Sequence, residues 1–280
     1  MNPTDATFPP APARVSYHEG MLLDATDFQD EQGYHRGQLA RTLQRLHGFG
    51  TVAGLQVWHF PVGSIRAEDN QPRTEEELEI APGLAVDRVG RLIEVPNSRC
   101  LRLARWLAFQ TAQHPEKIAP FNDGAGGRFL VGDVFLSFLD CPQGLRPAFP
   151  EGAVDATDAV VASRTRDFFQ LVLEPRRCDP DTTPPPVPAR RFPAAPATRR
   201  ALLDALYAAY APAPPVEYPV LFGDQPADPT AVFLARVLVR LKDAPDTTLD
   251  RHASGAAAVE DLDRPGVPPA VVLLTLLPAP

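Results

Sequence analysis

The chain has 280 residues, with 27 basic and 35 acidic side chains and a formal charge of −8. That balance excludes nucleic acid as the main partner, because phosphate binding needs a basic field. Hydrophobic residues make up 44%, too many for a wholly disordered chain, while 33 prolines predict short elements joined by extended connectors.

The first 14 residues, polar and Pro-rich, read as a flexible arm. They show neither a basic n-region nor an apolar h-region, so no secretory signal is expected. The clearest helix is expected over residues 25–47. Thr26 is its candidate N-cap and Gln29 completes a capping box. Phe28, Gln32, His35, Leu39, Leu43 and Leu46 recur at three- or four-residue spacing and make a mostly apolar stripe. Gly48 and Gly50 end the helix at a sharp corner.

A period-two pattern follows. Residues 52–60 read as one strand, residues 77–80, 84–87 and 91–95 as the strands of a compact meander, and 101–113 as a helix on its edge. The run Glu75, Glu76, Glu77 reads as a solvated approach to a strand. A glycine-rich turn over 121–128 leads to an apolar strand at 129–139. A loop is expected over 141–158, and a further strand over 168–173.

Residues 179–200 contain PPPVP and read as a polyproline linker. Beyond it, residues 201–280 read as a smaller C-terminal α/β segment. It includes a short helix (198–210), strand candidates at 219–222, 231–241 and 271–277, and an irregular stretch from 243 to 269. The expected fold is therefore α+β and β-rich: an N-terminal helix packed on a small antiparallel sheet body in a main domain of residues 15–178, then the linker, then the C-terminal segment.

Chemistry-bearing patterns are sparse. Cys100, Cys141 and Cys178 are far apart, with no CxxC pair, and the six histidines form no HExxH, so neither a metal nor a cofactor is expected. Phosphate-loop and serine-elbow motifs are absent. Catalysis is not expected. No stretch approaches the ~20 apolar residues that cross a bilayer, so no membrane insertion is expected either. What remains is an aromatic and glycine-rich N-terminal module. Phe28, Tyr34, Phe49 and Trp58 can serve as anchors of a docking surface, with His47 satisfying backbone groups at the corner that Gly48 and Gly50 create.

The stretch from Tyr17 to Val57 carries a longer signature. Tyr17, Gly20, Leu22, Leu23, Asp27, Phe28, Glu31, Gln32, Tyr34 and His35 are followed by LHGFGTVAGLQV, residues 46–57, and then by APGLAVDRVGRLIEV, residues 81–95. This pattern resembles an uncharacterised bacterial family encoded with phage-tail-like contractile injection systems. The resemblance runs over residues 15–175, where SRTRDFF near residue 166 is similar to the family's third block. Ala53 stands where related chains often carry cysteine. The resemblance implies a structural subunit near a baseplate, assembled in the bacterial cytoplasm into a particle that is released or membrane-anchored. The implied partners are baseplate, tube or sheath proteins, with a homo-oligomer also possible. The alternatives are a peripheral fibre-like or carbohydrate-binding module and, with less support, a cell-wall hydrolase.

Overall fold

The structure is a computed structural model that describes residues 13–66, 70–115, 118, 120–122, 127–147, 160–176, 228, 230–242 and 257–260. Among these residues the fold is β-rich α+β, with two helices and three antiparallel sheets. The expected arm, linker, 198–210 helix and 271–277 strand lie almost entirely outside the described residues.

Helix α1 spans Ala25–Leu46. Its N-cap is Asp24 rather than Thr26. The Asp24 carboxylate accepts from the Thr26 and Asp27 backbone N–H groups at 2.7 and 3.1 Å. Asp27 Oδ2 returns the bond to the Asp24 N–H at 3.0 Å. An ionised carboxylate at both ends of the capping box also meets the positive end of the helix dipole, which a Thr–Gln pair would not. At the other end Gly48 takes φ +82° and its N–H reaches the carbonyls of Leu43 and Gln44 at 3.2 and 3.1 Å, closing the helix as its left-handed cap.

The face that α1 turns to the body is not the apolar stripe. Its buried residues are Gly37 and Ala40, whereas Phe28, Gln32, His35, Leu39 and Leu46 are exposed and only Leu43 is partly covered. Small residues win this contact because the helix sits directly on backbone. A Cβ added to Gly90 would lie 1.9 Å from the Ala40 carbonyl oxygen. Gly33, by contrast, has open space where its Cβ would be. Gly33→Ala is expected to stabilise α1 locally by about 0.5–1 kcal/mol, read as slower amide exchange in the middle of the helix. Unchanged exchange there would contradict it.

The expected strand over 52–60 is two strands in different sheets, β1 (Gly50–Gly54) and β2 (Val57–Phe60). The break falls at Gly54 and Leu55, both at positive φ (+66° and +58°). The chain crosses back between the sheets at Pro82–Gly83, and the two crossings touch. A Cβ on Gly54 would lie 2.1 Å from Pro82 O, and one on Gly83 would lie 2.3 Å from Ala53 O. Strands β3 (Glu77–Ile80), β4 (Gly83–Val86), β5 (Leu92–Val95) and β6 (Arg99–Arg102) then interleave. One sheet has the order β1-β4-β5 and the other β2-β3-β6, in place of a single meander. Helix α2 follows as Leu103–Gln113.

The third sheet is built on β8 (Arg128–Pro147). The short β7 (Phe121–Asn122) and β10 (Val232–Leu241) flank it, β11 (Ala258–Glu260) extends it beyond β10, and β9 (Val160–Arg176) also pairs with β8. Two expectations change here. Residues 141–147 are not loop but the continuation of β8, paired with β9 up to Pro147↔Val160. Residues 232–241, assigned from sequence to a segment beyond the linker, lie beside β8 throughout Arg128–Leu136 and share its core. One apolar cluster joins all three sheets and α2, through Leu55, Leu78, Ile93, Leu136, Leu173 and Leu234 among others. Trp106 fastens α2 to it by donating from Nε1 to Leu173 O at 2.8 Å. On the opposite side of β8, Asp133 is fully buried. Arg236 grips it with two bonds of 2.8 and 3.0 Å, and Arg176 approaches to 3.4 Å.

Candidate functional site

The residues singled out from the sequence fall in three places, and no ring contact joins the four aromatics among the described residues. Phe28 is 50% exposed on the free face of α1. Tyr34 is half-buried, edge-on to His35 at 5.4 Å. Leu22, just ahead of the helix, is 94% exposed. Tyr17 donates its hydroxyl to Glu31 Oε2 at 2.5 Å, and this bond is the main reason the phenol is held above its ordinary range.

The corner itself is structural. His47 is the C-cap of α1, and its backbone N–H, not its ring, does the capping, to Leu43 O at 2.9 Å. Gly48 and Gly50 are buried at positive φ, where a side chain would be strained. Phe49 lies under the Arg88 guanidinium at 4.3 Å, and Gln44 Nε2 donates to Arg88 O at 2.6 Å. These contacts lock the C-terminal end of α1 to the β4–β5 turn and leave its N-terminal half projecting.

Trp58 belongs to a different site. It stands 46% exposed on β2, over an open cleft of about 970 Å³ that Phe60, Ile65, Trp106 and Phe109 also line. The floor is an ionic network on the outer face of β2-β3-β6. Arg73 is buried and bridges Glu77 and Glu79, at 2.5 Å each. Its guanidinium stacks on Phe60 at 4.0 Å. Burial pulls the Arg73 pKa down, but the bonds to the two carboxylates outweigh it and the net shift is upward. Arg66 adds a 2.9 Å bond to Glu77.

The Glu75–Glu77 run is therefore not a solvated approach. Glu77 is buried, Glu76 pairs with His59 at 2.6 Å, and Arg105 holds Glu75 at 2.8 Å and draws its carboxyl down. The signal was present in the sequence: Glu77 and Glu79 alternate on a strand and so share a face, with Arg66 and Arg73 just upstream. Cys100 lines the same cleft, where burial first and then Glu79 and Glu77 hold its thiol up, which disfavours the reactive thiolate. No group of three or more metal-ligating side chains occurs among the described residues, and no described helix is long and apolar enough to cross a membrane.

The site so defined is a set of protein surfaces, one projecting helix and one aromatic cleft, on a β-rich α+β body. No protein-family model matches the chain, and no curated protein sequence matches it. Among solved structures, part of the chain is similar to the crystal structure of TssK, at 16% identity and a TM-score of 0.27. The match covers 58% of this chain and 35% of that one, about a third of TssK's length. At that TM-score the likeness carries no argument about this chain's role.

Proposed function

We propose that the protein is a structural subunit of a phage-tail-like contractile injection particle, associated with its baseplate and working through fixed protein–protein contacts. One observation carries the reading. The signature segment shared with that family, Tyr17 to Val57, forms a helix that the Gly48 corner clamps rigidly at one end, while its matched apolar residues Leu22 and Phe28 face solvent. An apolar stripe turned outward on a fixed lever is a docking surface, because solvent exposure of such residues has no folding benefit. Assembly in the bacterial cytoplasm follows from the same reading, as do contacts with baseplate, tube or sheath proteins. Mass spectrometry and cross-linking of purified particles test it. The subunit is expected among the particle proteins, with cross-links concentrated on residues 17–46. Leu22→Asp with Phe28→Ser is expected to reduce incorporation at least tenfold while leaving the fold intact. A chain that never co-purifies with a sheathed tubular particle overturns the proposal.

A second reading has its own support. Trp58 and Phe109 flank a cleft with charged walls, an arrangement suited to stacking on a sugar ring in a peripheral carbohydrate-binding module. It predicts glycan-array binding that Trp58→Ala abolishes, and an unresponsive array removes it. A hydrolase has less support, since the cleft carboxylates Glu77 and Glu79 are both engaged by Arg73.

A further inference from the structure

We infer that the Trp58 cleft takes an acidic oligosaccharide, with sugar rings against Trp58 and Phe109 and a ring carboxylate on Arg102 and Arg105. This deepens the second reading above and rests on its premise that the cleft holds sugar. Strand register builds the floor. Across β2, β3 and β6, Trp58 stands beside Glu79 and Cys100, and Phe60 beside Glu77 and Arg102. Alternation puts both rows on one face of the sheet. Helix α2 follows directly on β6 and adds Arg105, Trp106 and Phe109 to the lining. Trp58 and Arg102 sit two strands and two residues apart, about 12 Å between backbones. That span suits linked sugar rings rather than a single one.

The charges on this floor are formally balanced, with Arg66, Arg73, Arg102 and Arg105 against Glu75, Glu76, Glu77 and Glu79. Depth breaks the balance. The carboxylate side chains are 2–30% exposed, whereas those of Arg66, Arg102 and Arg105 are 32–66% exposed. Only Arg73 is sunk with the acids. The deepest carboxylate, Glu77, has its two oxygens engaged by Arg66 and Arg73. Arg66 and Arg105, by contrast, each give a carboxylate one of the several N–H groups that a guanidinium carries. Arg102 comes no nearer than 3.5 Å to Glu75 and 3.8 Å to Glu77. The mouth therefore offers donors above carboxylates that are already paired. A ligand that fits must bring acceptors, and an ionised carboxylate makes the stronger, bidentate bond to a guanidinium. The pairs below hold the arginines in place beforehand, which lowers the cost of binding. The exposed faces of Trp58 and Phe109 give the apolar faces of sugar rings somewhere to lie. Uncharged sugar alone would need no cationic mouth. The chain's overall charge of −8 is screened beyond about 8 Å at physiological salt, so the groups at the mouth set the preference.

A glycan array carrying uronic-acid, sialic-acid and uncharged oligosaccharides tests this with the full chain, which is expected to bind acidic members. Titration then compares the strongest acidic glycan with its methyl ester, which keeps the rings and removes the charge. The acid is expected to bind roughly tenfold or more tightly, with a preference that shrinks as salt is added. Arg102→Gln with Arg105→Gln is expected to bring the acid-to-ester ratio close to one. Both side chains are exposed, so circular dichroism should match wild type. Trp58→Ala is expected to abolish binding of both forms. Binding confined to uncharged glycans, or equal affinity for acid and ester, overturns this inference and leaves the sugar reading standing. A ratio that survives the double variant overturns it too. An array with no bound glycan overturns the sugar reading and this inference with it.

Discussion

Asp133→Ala is expected to lower stability by about 3–5 kcal/mol, enough to reduce the melting temperature by roughly 10 °C or more. Asp133 is fully buried, and Arg236 and Arg176 both turn toward it from the strands on either side. Removing the carboxylate leaves two guanidinium groups in a site that excludes water, with the negative charge that both of them face gone. The loss is larger than for an apolar truncation of similar size, because weakening the compensation of buried charge costs more than a small void. The double variant Asp133→Ala, Arg236→Leu separates the two effects: it is expected to recover part of the loss, and the coupling in a double-mutant cycle measures the pair. A single-variant loss below about 1 kcal/mol, the range of exposed ion pairs, would contradict the assignment. Because β10 is the strand that brings Arg236 to Asp133, the same experiment reports whether residues 232–241 hold the main body together.

Gly90→Ala is expected to detach α1 from the body. Gly90 sits at φ +89°, where an L side chain carries about 1–2 kcal/mol of strain, and the new Cβ would meet the Ala40 carbonyl at 1.9 Å. Neither partner is a flexible side chain, so either the turn or the helix must move. The turn is the stiffer of the two. Asp87 is buried within it and accepts from the Val89 and Arg91 N–H groups at 3.0 and 2.8 Å and from Arg91 Nε at 2.6 Å. Burial pushes the Asp87 carboxyl up, and the Arg91 contacts only partly pull it back. The helix, which meets this turn through Ala40 and Gln44, is the part that gives way. Amide exchange in α1 should accelerate at least tenfold with little change in the sheets, and particle incorporation should fall with it. Protection of α1 equal to that of the wild type would show that the helix is seated by something other than this contact.

The N-terminal signature explains why part of the site was legible in advance. The three- and four-residue period and the glycines at 48 and 50 place α1 to within a residue, although its N-cap is Asp24 and not Thr26, because helix period and a glycine stop are local to the backbone. Which face of α1 is inside was not legible. The stripe through Phe28, Leu39 and Leu46 has core-like spacing, and only the Gly90–Ala40 contact shows that the glycine and alanine face wins. Trp58 was visible as an aromatic but not as part of a cleft, since the residues around it come from β2, β3, β6 and α2.

What the sequence determines by itself is therefore local: the α+β, β-rich class, the C-terminal stop of α1, the turns at glycine and the strands read at 77–80 and 91–95, found at 77–80 and 92–95. The tertiary structure decides how those pieces are shared among sheets. The break at Leu55, the return of 232–241 to the side of β8 and the continuation of β8 past Cys141 all depend on pairing partners far away in the chain. Strand propensity specifies that a segment is extended, not what it hydrogen-bonds to. The outward stripe and the run of β8 and β9 past the end of β10 likewise become visible only once the core has chosen its members and left these residues out.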